Sequence, residues 1–258
     1  MEISIPHIGY GSRILVQDIT FTVSPGECLL LAGPNGSGKT TLLHQLAEVG
    51  IPSKTASASL RPLPSRCAKK AQAVGPSLLQ DRGWTWVLEG IPTSVNCVLI
   101  PTGIPKIKGF SVREFIRTGC YRESDWAGRL RKETEQRLEE ALELLGMKEL
   151  AERDISTLSD GEFQKACIAV GLTRQAQVLL LDEPTAFLDV ENRLMVLRTL
   201  RDVAAKTATA AVFSSHDLHD ALQVAHRVLA ITPDGRLVES GEKNREAVLK
   251  EAFPKYSF

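Results

Sequence analysis

The sequence lacks an excess of charge of one sign, and it lacks a long apolar run. Lys and Arg number 31 and Asp and Glu also number 31, so the composition gives no reason to expect a nucleic acid as the partner. No uncharged stretch is long enough to cross a bilayer. The N-terminal MEISIPHIGYG has neither the basic start nor the apolar run of a signal peptide. We therefore expect that any work at a membrane is done from one side and through a partner.

Cysteine is scarce and scattered. The number of cysteines is odd and no C-x-x-C pair occurs, which argues against a disulfide framework or a zinc site and suits a reducing cytoplasm. The cysteines are Cys28, Cys67, Cys97, Cys120 and Cys167. A hydrophobic fraction of 43% and a charged fraction of 24% are ordinary for a globular protein. The length allows one large domain or two small ones.

Short apolar runs alternate with helical patterns along much of the chain. ILVQDITFTV, from Ile14 to Val23, has the alternation of a strand, and TTLLHQLAEV after Thr40 is typical of a helix. Buried strands are predicted for CLLLAG (28–33), VLLLD (178–182) and AAVFSS (210–215). Strands buried on both faces and separated by helices indicate a parallel sheet in an α/β core. VLAITPDGRLVES predicts a closing hairpin.

Two regions differ from this pattern. KETEQRLEEALELLG, Lys132 to Gly146, places apolar residues on one helical face and ends in a glycine suited to a C-cap. Together with a helix after Ser159, it predicts a helical lobe inserted into the α/β core. Residues 51–96 show no clean period and many small polar residues, which favours a long surface excursion or partial disorder.

GPNGSGKT matches the phosphate-loop pattern G-x-x-x-x-G-K-T between a predicted strand and a predicted helix. In this pattern glycines let backbone N–H groups curl around phosphates, Lys39 reaches the β- and γ-phosphates, and the Thr40 hydroxyl ligates Mg²⁺. A chance glycine-rich turn would lack this context. The motif predicts that a nucleoside triphosphate and Mg²⁺ bind at Gly33, Pro34, Asn35, Gly36, Ser37, Gly38, Lys39, Thr40 and Thr41.

Two adjacent acids follow the apolar run VLLL. Asp182 at the end of a buried strand lies where α/β sheets place their ligands, and we expect it to hold Mg²⁺ directly or through water. Glu183 is then positioned to polarise a water for in-line attack on the γ-phosphate. The alternative is that one of the two acids only caps the next helix. His216 in FSSHD follows the third apolar run and is predicted to contact the γ-phosphate, whereas His219 and His226 are expected in the following helix.

LSDGEFQK, Leu158 to Lys165, contains an S-x-x-E capping box formed by Ser159 and Glu162. A helix N-terminus is also an anion site, because its N–H groups point outward and its dipole favours negative charge. The segment therefore predicts a capped helix and leaves open whether that helix also holds a phosphate.

These motifs in this order resemble the ATP-binding-cassette (ABC) ATPases over nearly the whole chain apart from residues 51–96. The resemblance implies an α/β fold, a P-loop NTPase core with a RecA-like, mostly parallel sheet, an N-terminal antiparallel β part and an inserted helical subdomain. It implies one domain over residues 1–258, with the core at about 1–101 and 168–245, the helical subdomain at about 102–167 and an atypical segment at 51–96.

The family's functional residues can be carried over position by position. Two cassettes pair head to tail in the family, and the signature of one covers the ATP held by the phosphate loop of the other. The resemblance then implies an adenine-stacking role for Tyr10, with packing as the alternative, and a D-loop at AFLD (186–189). The residues so assigned are Tyr10, the signature residues Ser159, Asp160, Gly161 and Glu162, and the D-loop residue Asp189.

Two departures from the family pattern matter. Asp160 replaces the second glycine of the usual LSGGQ signature, and since a carboxylate facing a triphosphate is repelled, we expect it to point away. The family places a Mg²⁺-contacting glutamine, which also senses the membrane partner, at the strand end before the helical lobe, and that position is Thr102 here. Gln80 is the alternative, although SVREFIRTG does not follow it.

The stretch SVREFIRTGCYRESDWAGRL and the C-terminal GRLVESGEKNREAVLKEAF resemble the importer ATPases for iron–siderophore, haem and cobalamin. This implies a homodimeric ATPase that uses ATP and Mg²⁺ beneath integral-membrane permease subunits at the cytoplasmic face of the cell (inner) membrane. An extracytoplasmic substrate-binding protein would act indirectly, and no nucleic acid is expected. The alternative is a soluble, non-transport cassette acting on a protein or nucleic acid, and a P-loop kinase would leave LSDGE and His216 unexplained.

Overall fold

The computed structural model of the protein describes residues 1–10, 13–49, 61–62, 86–87, 95–120, 130–241 and 244–255. In chain order the strands are β1 (Glu2–Tyr10), β2 (Arg13–Thr22), β3 (Cys28–Ala32), β4 (Arg61–Pro62), β5 (Trp86–Val87), β6 (Cys97–Ile100), β7 (Val178–Leu181), β8 (Ala210–Ser214), β9 (Arg227–Ile231) and β10 (Leu237–Glu239). The helices are α1 (Lys39–Val49), α2 (Val112–Gly119), α3 (Lys132–Leu144), α4 (Asp160–Thr173), α5 (Val190–Thr207), α6 (Leu218–Val224) and α7 (Arg245–Ala252).

The central sheet has the order β10-β9-β3-β8-β7-β6. Its strands β9, β3, β8, β7 and β6 are parallel, and β10 pairs antiparallel with β9, as the closing hairpin predicted. Every residue of β3, β7 and β8 is buried, because helices cover both faces of these strands. The predicted parallel α/β core is therefore confirmed, and the carboxyl ends of β3, β8 and β7 lie side by side.

An antiparallel hairpin of β1 and β2 packs beside this sheet. Ile3, Ile5 and Ile8 of β1 are buried with the apolar face of β2 and α1. The pairing register shifts between Ile8 and Gly9, and a Cβ atom at Gly9 would lie 2.1 Å from the Arg13 carbonyl oxygen. Glycine is therefore required at this bulge. β2 was predicted from its alternation, whereas β1 was not.

Helices α2, α3 and α4 lie between β6 and β7 in the chain, where a helical lobe was predicted. The buried face of α3 contains Leu138, Ala141 and Leu142, as its periodicity indicates. Gly146 follows the cap residue Leu145 with a φ of 65°, the left-handed conformation that favours glycine after a helix. α4 extends six residues beyond the predicted lobe limit at 167, to Thr173. The division into subdomains stays a prediction.

Candidate nucleotide-binding and hydrolytic site

The phosphate loop joins β3 to α1 at the carboxyl edge of the central sheet. Gly36 and Gly38 have φ values of 75° and 105°, which residues with a Cβ rarely adopt. The hydroxyl of Ser37 is buried and has no hydrogen-bond partner among the described residues. A loop with this backbone and a buried hydroxyl left over has the donors that phosphate oxygens need.

Lys39, the first residue of α1, turns back over this loop. Its side chain is buried, and its ammonium donates hydrogen bonds to the carbonyl oxygens of Gly33, at 2.8 Å, and Pro34, at 3.1 Å. Burial lowers the pKa of Lys39, while the nearby carboxylates of Glu183 and Asp182 act in the opposite direction. The lysine therefore lies between the loop and the two acids, where an anionic ligand would favour its charged form.

Asp182 follows β7 directly and is buried. One carboxylate oxygen accepts from the Thr40 hydroxyl at 2.9 Å, and the other accepts from the Ser214 hydroxyl at 2.9 Å. The bonds span three neighbouring strands, because Thr40 follows β3, Ser214 ends β8 and Asp182 follows β7. A carboxylate beside a hydroxyl is an oxygen donor set that suits Mg²⁺, which takes one or two protein carboxylates and completes its shell with phosphates and water.

Glu183 has a φ of 49°, a left-handed backbone conformation that is uncommon for a residue with a Cβ atom. Its backbone N–H donates to the Ser214 hydroxyl at 2.8 Å, and its Oε1 atom lies 2.5 Å from Nε2 of His216. The His216 side chain is about half exposed and that of Glu183 about one quarter exposed. The structure thus brings together the predicted acid pair and the predicted histidine, with both side chains accessible to a ligand and to water.

The region that contains these motifs matches a known family. The sequence model of the ABC transporter family matches residues 16–186, about two thirds of the chain, from β2 through the phosphate loop to the turn after Glu183. The chain belongs to the ABC transporter family. The predicted family, fold class and activity, an ATPase of an ABC transporter, are confirmed by this match.

Two curated relatives of this ABC protein are named for siderophore transport and for iron(3+)-hydroxamate import. The probable siderophore transport system ATP-binding protein YusV of Bacillus subtilis (strain 168) is 29% identical over 242 residues, covering 91% of this chain and 77% of the relative. The iron(3+)-hydroxamate import ATP-binding protein FhuC of the same organism is 29% identical over 249 residues, covering 95% of this chain and 84% of the relative.

Solved structures agree on the fold of this ABC protein. A putative metal-chelate type ABC transporter in an inward-facing conformation superposes with a TM-score of 0.72 at 22% identity, covering 98% of this chain and 88% of that chain. A nucleotide-free ATP-binding cassette superposes with a TM-score of 0.69 at 19% identity, covering 97% and 96% of the two chains. At these identities the likeness bears on the fold alone.

The signature segment of this ABC protein begins α4. Ser159 accepts from the Glu162 N–H at 3.2 Å, and Glu162 accepts from the Ser159 N–H at 2.8 Å, so the predicted capping box is confirmed. The Ser159 N–H holds the pKa of Glu162 below its usual value. A Cβ atom at Gly161 would lie 2.8 Å from the methyl group of Met195, so α4 approaches α5 closely at this point.

Asp189, which the resemblance predicted as a D-loop residue, caps the next helix. Its carboxylate accepts from the Asn192 N–H at 2.8 Å at the start of α5. One turn later, Arg193 forms an ion pair with Asp217, the residue after His216. Asp217 in turn accepts from the Asp220 N–H at the start of α6. The segment after the acid pair and the segment after His216 are thus joined by an ion pair.

Thr102 lies two residues after β6, beside the acid pair. Its hydroxyl donates to the backbone carbonyl of Asp182 at 2.6 Å and therefore holds the peptide rather than the carboxylate. Gln80, the alternative to Thr102, lies outside the described residues. Tyr10 pairs with Arg13 at the hairpin end, and its side chain lies outside the described part of the structure.

One expectation about histidines was wrong. α6 ends at Val224, so His226 lies beyond the helix, where its Nδ1 accepts from the Cys28 N–H at 3.0 Å at the start of β3. His219 does lie in α6 and is exposed. Sequence reasoning also missed Ser214, Arg193 and Lys106. Of these three, Ser214 could have been found from the sequence, because it is a polar residue at the end of a predicted buried strand.

Proposed function

We propose that this chain is the ATP-hydrolysing subunit of an ABC importer for iron–siderophore complexes or a related chelate, with haem and cobalamin as the other members of that class. It would act as a homodimer beneath integral-membrane permease subunits, at the cytoplasmic face of the cell (inner) membrane, supplied indirectly by an extracytoplasmic substrate-binding protein. The observation that carries the substrate class is the pair of relatives named for siderophore transport and hydroxamate import. Every helix in the described ranges is too short or too polar to cross a bilayer.

ATP is proposed to bind with its phosphates in the loop from Gly33 to Thr41 and its adenine against Tyr10. Lys39 would exchange its two carbonyl acceptors for phosphate oxygens, and the Ser37 hydroxyl would gain the partner it lacks among the described residues. Thr40 and Asp182 would hold Mg²⁺, with Thr102 as a further oxygen donor through the lone pairs of its hydroxyl. When bound, Mg²⁺ supplies charge stabilisation at the β- and γ-phosphates.

Hydrolysis is proposed to need Glu183 as the general base. A carboxylate in hydrogen-bonding reach of the attacking water accepts its proton and contributes about 10²- to 10⁴-fold to the rate. His216, 2.5 Å from that carboxylate, would hold it in place and contact the γ-phosphate. The signature residues Ser159 to Glu162 would cover the ATP of the partner subunit, and Asp189 would lie at the contact between subunits.

The substitution Glu183→Gln tests this mechanism. ATP binding should persist, hydrolysis should fall at least about 100-fold, and ATP should trap a dimer because the closed state is not released. Glu191→Gln, an exposed glutamate at the start of α5, is the matched control and should behave as the unsubstituted chain. Full turnover by Glu183→Gln would remove Glu183 as the base.

The importer role is tested by uptake. The chain is produced together with a candidate iron–siderophore permease in membrane vesicles, and ATP-dependent uptake of radiolabelled ferric hydroxamate is compared with that of haem and cobalamin. Uptake that Glu183→Gln abolishes supports the proposal. If the chain never associates with a permease, the non-transport alternative takes its place.

A further inference from the structure

Lys106 pairs with the carboxylate that departs from the usual signature. Its ammonium lies 2.6 Å from Oδ1 of Asp160. The same ammonium donates to the carbonyl oxygen of Leu158 at 2.8 Å and lies 5.6 Å from the centre of the Phe163 ring. One lysine therefore contacts residues on both sides of the cap at Ser159, and the Asp160 side chain is directed towards it.

The loop that contains Lys106 runs between β6 and α2 and is fastened near both ends. At its start, the Thr102 hydroxyl donates to the Asp182 carbonyl at 2.6 Å. Near its end, the Gly109 N–H donates to the Asp154 carboxylate at 2.7 Å, just before the turn that leads into α4. Lys106 therefore lies in a loop that is hydrogen-bonded at its start to the segment after β7 and near its end to the segment that precedes the signature.

The ion pair between Lys106 and Asp160 is expected to contribute little to the stability of the fold. The side chain of Asp160 is 60% exposed, and ion pairs this exposed contribute little to the free energy of unfolding. Its electrostatic effect is larger, because an unpaired carboxylate at the signature would repel a triphosphate brought against it. The Lys106 ammonium beside it makes the pair neutral overall, and both residues line the cleft that also contains Glu183.

We propose that Lys106 is a positioning residue for the signature: its ammonium offsets the charge of the Asp160 carboxylate, so that the start of α4 can close over the ATP of a second copy of the chain. The inference rests on the proposed function, since it concerns the same closed dimer. It explains how a signature with a carboxylate in place of glycine remains compatible with a bound triphosphate.

The test measures ATP-dependent dimerisation by analytical ultracentrifugation in the Glu183→Gln chain. Adding Lys106→Met should raise the dimer dissociation constant at least about tenfold, while the affinity of the monomer for a fluorescent ATP analogue stays unchanged. Lys106→Arg should restore most of the dimerisation, because a cation returns. Lys108→Met removes an exposed lysine two residues away in the same loop and is the matched control, with no change expected.

A second background separates charge from shape. In Asp160→Gly the carboxylate is gone, so Lys106→Met should then weaken dimerisation by less than about twofold. An equal loss in both backgrounds, or no loss in either, would overturn the proposal. If Lys106→Met does not fold, Asp160→Gly alone must dimerise at least as tightly as the parent, and weaker dimerisation would contradict the inference. If the Glu183→Gln chain never dimerises with ATP, both the proposed closed dimer and the function proposed for Lys106 are wrong. If it dimerises but Lys106→Met has no effect, only the function proposed for Lys106 is wrong.

Discussion

Removing the hydroxyl of Ser214 should disturb both acids of the candidate site at once. Ser214 is fully buried at the end of β8, where it donates to the Asp182 carboxylate and accepts from the Glu183 N–H. In Ser214→Ala the carboxylate loses a donor and the N–H loses its acceptor.

The magnitude follows from these two bonds. A hydrogen bond to a charged group contributes about 1.5–3 kcal/mol, and a buried donor left without a partner costs about 1–3 kcal/mol, so the free energy of unfolding should fall by about 3–5 kcal/mol. For a chain of this size that corresponds to a Tm lower by about 10 °C. ATP hydrolysis should fall about tenfold or more, because the proposed base Glu183 and the proposed Mg²⁺ ligand Asp182 lose their shared anchor.

Thermal unfolding followed by circular dichroism and a phosphate-release assay measure the two effects. Ser215→Ala is the matched control, since Ser215 is also buried but bonds only with the backbone of Asp217. Its loss should cost about 1 kcal/mol and leave hydrolysis within about twofold. If Ser214→Ala is as stable and as active as Ser215→Ala, the anchoring function assigned to Ser214 is wrong.

Two other substitutions probe the signature and the hairpin. Ser159→Ala should reduce hydrolysis much more than stability, because a lost cap costs only about 1 kcal/mol; equal losses in the phosphate-release and unfolding assays would leave Ser159 with a capping role alone. Gly9→Ala should lower the free energy of unfolding by about 1–3 kcal/mol, since its Cβ would clash with the Arg13 carbonyl. Gly241→Ala, where the added Cβ meets only an ordinary contact, should be neutral, and urea unfolding of both variants checks the difference.

The sequence predicted those parts of the fold that local pattern determines. The continuous apolar runs ending at Ala32, Leu181 and Ser214 predicted strands buried on both faces, and the parallel sheet followed from the helices between them. The capping box at Ser159 was equally local, since its two partners are three residues apart. The resemblance to the ABC ATPases indicated how these strands and this helix come together in the fold.

Contacts between distant segments were not predictable in the same way. Lys106 lies in a loop without periodicity, and its partner Asp160 is 54 residues away. Arg193 and Asp217 are 24 residues apart and belong to different helices. β1 was not predicted because its buried residues Ile3, Ile5 and Ile8 do not keep a two-residue alternation. His226 was misplaced because nothing in its neighbourhood marks the end of α6 at Val224.

The bond between Arg193 and Asp217 has a consequence for how the protein opens locally. Asp189 directly precedes α5 and Asp217 directly precedes α6. Each carboxylate accepts a hydrogen bond from a backbone N–H in the first turn of the helix that follows it. Because Arg193 joins the first turn of α5 to the cap of α6, opening either helix start breaks an ion pair that the other also uses. We therefore expect an event that loosens one start to loosen the other, which native-state hydrogen exchange can measure.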